Sequence, residues 1–105
     1  MDIEWSREAE DSFNDIVDWY LTHIGWHSAE KFTSAVQERI NLLRNNPYLG
    51  PKEEALTDKQ KPYRSLWDGK HCKIIYYVEE TDNTIYIAYI WGCRQAPEKL
   101  QSKFR

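Results

Sequence analysis

Four side chains in the second half of the chain could bind or act on an anion: Arg64, His71, Lys73 and Arg94. Guanidinium and ammonium groups hold phosphate or carboxylate oxygens through charge-assisted hydrogen bonds. A histidine set among cations is held neutral near pH 7 and can then take up a proton. Together these residues could make a phosphate or carboxylate site, provided the fold brings them together. The other reading is a solvated basic face whose long stems lie over apolar neighbours.

The stretch from Tyr63 to Arg94 must do the positioning. Val, Ile, Tyr and Trp dominate Tyr63 to Trp67, Lys70 to Val78 and Ile85 to Trp91, with breaks at Asp68-Gly69 and at Thr81 to Thr84. This pattern predicts a three-stranded antiparallel meander, because β-branched and aromatic residues favour strands and Asp-Gly favours a tight hairpin turn. Two-residue turns at both breaks would pair Arg64 with Lys73, Ser65 with Cys72, Val78 with Ile87, Tyr76 with Tyr89, Ile74 with Trp91 and His71 with Arg94. Alternation then gathers Trp67, Cys72, Ile74, Tyr76, Val78, Ile85, Ile87, Tyr89 and Trp91 on a core face. The opposite face collects Arg64, His71, Lys73 and Arg94, with Ile75, Tyr77 and Ile90 behind them. Directly opposed like charges on a sheet repel, and an anionic ligand would relieve that repulsion.

The first half supplies the cover for the core face. Asp2 to Trp5 can form an edge strand, and Ser6 is placed to cap the helix that follows. Ala9, Phe13, Ile16, Val17, Tyr20, Leu21 and Ile24 recur at helical spacing, opposite an acidic face. Gly25 suits a left-handed helix end. A second helix, capped by Ser28, carries Ala29, Phe32, Val36, Ile40 and Leu43 and stops before Pro47. The fold class expected is α+β, an N-terminal antiparallel helical hairpin packed on one face of a small antiparallel sheet, with Phe13, Phe32, Ile74, Tyr76, Ile87 and Trp91 in one core. Tyr48 to Pro62 reads as a loop with a helical turn at Glu53 to Leu56, and a short helix can start at Pro97.

Residues 1–105 form one domain with room for a single modest core. No apolar run reaches the length of a membrane span and no signal peptide is visible, so a cytoplasmic protein without membrane contact is expected. The net charge of −3 disfavours sequence-independent nucleic-acid binding by the whole surface. That charge is uneven, at −5 over the first 46 residues and +2 over the remainder. Cys72 and Cys93 would face each other in the register above, but in a reducing compartment two buried thiols are the expectation. No metal-ligand spacing, phosphate loop, dinucleotide fingerprint or nucleophile elbow occurs, and neither a metal nor a cofactor is expected. His23 and His27 flank Gly25 and read as caps or surface residues.

The order of elements, with the motifs Pro47-x-x-Gly50, Tyr63-Arg64, Cys72 to Val78, Thr84 to Ile87 and Arg94-Gln95-x-Pro97, resembles the RelE/ParE superfamily of bacterial toxins. The resemblance covers nearly the whole chain. It implies the toxin half of a type II toxin–antitoxin pair, of the kind called plasmid stabilisation proteins, with a cognate antitoxin as partner. Two mechanisms share this fold: RelE-like members cut messenger RNA on the ribosome without metal, and ParE-like members poison DNA gyrase. For the first, the resemblance implies Arg64 and Arg94 as phosphate contacts and Lys73 as a charge stabiliser, and the register reading adds His71 as proton acceptor. In the second, Arg64, Lys73 and Arg94 would serve only for binding. Lys73 stands where RelE-like members usually carry arginine, Leu66 stands where some are basic, and no tyrosine follows Arg94. This incomplete set leans the reading towards the ParE-like mechanism, with the nuclease, or a non-toxic binding module that keeps the fold, as alternatives.

Overall fold

The computed structural model describes residues 1–92 and 97–104. Ser6 opens the first helix as expected, its hydroxyl accepting the Ala9 amide at 3.0 Å. Strand β1 (Asp2–Trp5) leads into helix α1 (Arg7–His23), and helix α2 (Trp26–Asn45) returns antiparallel to it. The turn between them depends on Gly25, whose φ of 140° lies where side chains are disfavoured. Because the chain re-enters a helix at Trp26, Gly25 is itself the N-cap of α2, and the expected cap at Ser28 lies inside the helix. A 3₁₀ turn (Glu54–Leu56) interrupts the long loop. Strands β2 (Arg64–Trp67), β3 (Cys72–Glu79) and β4 (Thr84–Gly92) then form the meander, and a short helix α3 (Pro97–Ser102) follows.

The sheet order is β1-β4-β3-β2, with β1 parallel to β4 and the other pairs antiparallel. The expected fold class holds, and the edge strand makes the sheet a mixed one. α1 lies over β4 and packs against α2. Between the helices and the sheet lies a core of Ala9, Phe32, Val36, Ile40, Leu43, Cys72, Ile74, Tyr76, Ile85, Ile87 and Ile90. The aromatic rings of Trp5, Phe13, Phe32 and Tyr20 run through it in successive contact.

The meander register differs from the expected one in three places. Asp68 to His71 form a longer loop than a two-residue turn, because the buried Asp68 carboxylate accepts the amides of Lys70, His71 and Cys72 at 2.8–3.1 Å. Arg64 therefore pairs with Tyr76, and Trp67 with Lys73. The odd shift turns every β2 side chain to the other face. The second loop takes in Glu80 to Asn83, closed by the Asn83 amide on the Glu80 carbonyl at 3.1 Å with Asn83 at a φ of 52°. Val78 consequently pairs with Ile85, and Tyr76 with Ile87. Finally, Ala88 has no partner in β3, so that β4 carries a bulge and its faces exchange beyond that point.

The bulge corrects the expected core. Ile90 joins the helix-side core, whereas Trp91 and Tyr89 pass to the opposite face. There Leu56, Ile75, Trp91 and Leu100 form a second core beneath the 3₁₀ turn and α3. The sheet is thus covered on both faces. Trp67, expected inside, is 56% exposed. Leu21 and Ile24, at the end of the α1 stripe, project into solvent at the hairpin tip.

Candidate functional site

The expected cluster does not lie on one face. Arg64 shares its face with Leu66, Ile74 and Tyr76, whereas Lys73 shares the other with Trp67, Ile75 and Trp91. The cause is the odd register shift made by the Asp68 loop: had Arg64 faced Lys73, the two would have stood side by side.

Arg64 is held by the long loop. Its Nη1 donates to the Gly50 carbonyl at 2.8 Å, and its guanidinium lies 4.9 Å from the centre of the Tyr48 ring. The Gly50 amide in turn donates to the Tyr76 hydroxyl at 2.9 Å. Tyr48 donates to Glu80, and that bond raises the Tyr48 hydroxyl above its ordinary value. The segment from Gly50 to Glu53 runs along the outer edge of β2, with the Ser65 amide on the Pro51 carbonyl and the Glu53 amide on the Tyr63 carbonyl, each at 3.0 Å. A side chain at position 50 would collide with the Ser65 carbonyl and come within 2.9 Å of the Tyr76 hydroxyl. Close backbone approach therefore accounts for the glycine in Pro47-x-x-Gly50.

Lys73 is paired. Its Nζ lies 2.8 Å from Oε1 of Glu53, a carboxylate only 6% exposed, while the lysine side chain keeps 39% of its surface in solvent. Burial pushes the Glu53 carboxyl up, but Lys73, the Ala55 amide and the Ser65 hydroxyl outweigh it, and the group titrates below its usual range. Glu53 was invisible as a partner in the sequence. It is one of three acidic residues, with Glu54 and Asp58, in a long loop without a clear period.

His71 stands apart from both. It lies exposed in the β2–β3 loop, beside a groove of about 290 Å³ formed with Asp15, Ile16, Trp19, Tyr20, Cys72 and Gly92. Arg64 and Lys73, expected beside it, are bound elsewhere, and Asp15 of α1 shares its groove. Arg94, expected opposite His71, lies outside the described residues, as does Cys93. Cys72 is a buried thiol of the helix-side core. Among the described residues no three His, Cys, Asp or Glu side chains are placed to hold a metal ion.

The sequence reading also missed an aromatic groove of about 360 Å³ on the second face, lined by Tyr63, Tyr77, Tyr86, Tyr89 and Phe104. Lys61 lies 5.2 Å from the Tyr77 ring centre and Lys103 lies 5.9 Å from that of Tyr89. Burial raises the Tyr63 hydroxyl above its ordinary value.

From β1 through the helical hairpin and the meander, the chain coincides with one family. Residues 3–97 match the family model for the ParE toxin of type II toxin-antitoxin system, parDE. The chain belongs to the ParE toxin family. Two solved structures are similar to this ParE-family chain. One is described as the chromosomal ParDE TA system from P. aeruginosa, 22% identical with a TM-score of 0.71, the match covering 88% of this chain and 95% of that one. The other is a metal-bound toxin from Helicobacter pylori, 15% identical with a TM-score of 0.62, covering 88% and 93% respectively. At these identities both speak for the shared fold. No curated protein matches the chain. Among the described residues no helix is long and apolar enough to cross a membrane.

Proposed function

We propose that this chain arrests growth in the cytoplasm by poisoning DNA gyrase, and that a cognate antitoxin protein holds it inactive. The observation that favours gyrase over RNA cleavage is the use already made of its cations. A metal-independent nuclease needs several cations converging on one phosphate to offset the charge that builds in the transition state. Arg64 is bound to Gly50 on one face of the sheet, and Lys73 is neutralised by Glu53 on the other. On this reading the remaining N–H groups of Arg64, together with Arg94, contact a protein partner, and Lys73 organises the loop. The nuclease alternative would require Arg64 and Arg94 at the phosphate, Lys73 as charge stabiliser and His71 as proton acceptor.

Induction of the chain in a bacterial host, with translation and plasmid supercoiling followed in parallel, tests the proposal. Growth arrest with lost negative supercoiling and continued translation is the expected result. Ribosome-dependent messenger cleavage that needs Arg94 would transfer the function to the RelE-like mechanism. Growth without arrest would leave a non-toxic binding module.

A further inference from the structure

Two grooves meet where the β2–β3 loop faces the helices. The one beside His71, of about 290 Å³, is walled by Ile16, Trp19 and Tyr20 of α1, with Asp15 at its rim. The other, of about 220 Å³, is lined by Lys31 and Ala35 of α2 together with Asp68 and Lys70 of the loop. Trp19, Tyr20 and His71 line both. Joined there, the two reach the size range of small-ligand sites, roughly 300–1,000 Å³.

Positive charge gathers at the second groove. Lys31, Ala35 and Arg39 stand four residues apart and run down one face of α2, so that the small Ala35 leaves room between two cations. Arg39 reaches the loop: its Nε donates to the Trp67 carbonyl at 3.2 Å, and its guanidinium lies beside Gly69. Lys70 and His71 come from the loop itself. Among the described residues none of these four is ion-paired. Asp68, the carboxylate in their midst, is buried and already accepts three backbone amides. The cluster differs in this from Arg64 and Lys73, which the long loop has bound. Cations held close repel one another, and an anion between them relieves that repulsion.

A phosphate suits the cations, because it accepts several charge-assisted hydrogen bonds at once. The adjoining groove suits a flat ring, for which Trp19 and Tyr20 provide aromatic surface. Asp15 can accept a hydrogen from an amino group on that ring. A phosphate joined to an aminated flat ring is a nucleotide. A nucleic-acid strand is a poorer occupant, since the protein carries a net charge of −3.

We propose that this junction binds a free nucleoside monophosphate whose base carries an amino group. The phosphate lies among Lys31, Lys70 and His71, and the base lies along Ile16, Trp19 and Tyr20 with its amino group towards Asp15. The site is independent of the gyrase reading, which draws on Arg64, Lys73 and Arg94.

The test is titration calorimetry of the full chain with adenosine monophosphate in phosphate-free buffer, beside adenosine, inosine monophosphate and an oligoadenylate. Adenosine monophosphate should bind at one site. Adenosine, without the phosphate, and inosine monophosphate, without the amino group, should each bind roughly tenfold more weakly, the worth of one hydrogen bond to a charged group. Lys31→Gln and Lys70→Gln, both at exposed positions, should each weaken adenosine monophosphate by a similar factor. Lys52→Gln, the same change of charge beside Arg64 at the other end of β2, should leave binding unaltered. Equal binding of adenosine and its monophosphate, equal losses in all three lysine variants, or no binding at millimolar nucleotide would overturn the proposal. Inosine monophosphate binding as tightly as adenosine monophosphate would refute the amino contact, and an oligoadenylate binding more tightly would refute the free nucleotide in favour of a strand.

Discussion

Ser12 on α1 completes the hydrogen bonding of Ile90 on β4, its Oγ accepting the Ile90 amide at 3.0 Å while donating to the Ala9 carbonyl at 3.0 Å. β1 pairs with β4 only as far as Ile87, and beyond that point the helix takes over the edge. Ser6, the N-cap of α1, serves the strand two residues earlier, donating its hydroxyl to the Ala88 carbonyl at 2.9 Å. The two serines thus satisfy the backbone groups exposed by the bulge. Ser12→Ala should leave a buried N–H unpaired and destabilise the fold by about 1–3 kcal/mol, measured by urea unfolding. A loss below about 0.5 kcal/mol would show that water or a shifted helix replaces the bond.

The Lys73–Glu53 pair should govern the acid limb of stability. Since the folded Glu53 carboxyl titrates below its unfolded value, its contribution is fully present above the ordinary 4.5 and fades as pH falls through the lower folded value. Glu53→Gln should flatten stability in that window. Lys73→Met, which leaves the carboxylate buried without its cation, should cost about 1–3 kcal/mol at neutral pH and less once Glu53 is protonated. A cost that does not vary with pH would show that Lys73 acts through packing alone.

Gly50→Ala should destabilise by about 1–3 kcal/mol, because the added methyl meets backbone at Ser65 with no flexible neighbour to yield. Tyr76→Phe removes only the acceptor of the Gly50 amide and should cost less, about 1 kcal/mol. Thermal unfolding of both variants measures the order. If Tyr76→Phe proved the worse, the loop would be held by that hydroxyl and not by close approach.

Much of the fold was legible because burial imposes a period. The α2 stripe of Ala29, Phe32, Val36, Ile40 and Leu43 is buried throughout, and Ile74, Tyr76, Ile85 and Ile87 face the helices as their alternation required. What failed was register. Asp68-Gly69 signals a turn, but nothing in the residue types says that the Asp68 carboxylate will gather three amides and lengthen the loop. Ala88 likewise gives no sign of a bulge, and with it went the placement of Tyr89, Ile90 and Trp91. The site followed the register: one odd shift separated Arg64 from Lys73, and the long loop then supplied each with a partner.

Truncation of that shared core should be costly wherever alternation and structure agree. Ile87→Ala and Phe32→Ala should each lose about 2–5 kcal/mol in denaturant unfolding. Trp67→Ala, at a position exposed to solvent, should stay within about 0.5 kcal/mol. The reverse order would contradict the observed faces of β2 and β4.

The central claim is tested most directly by adding the purified chain to DNA gyrase and relaxed plasmid with ATP, and following supercoiling by gel. Inhibition with trapped, cleaved plasmid, reversed when the antitoxin is added first, is the predicted result. Undisturbed supercoiling at toxin concentrations that arrest growth in the cell would contradict it.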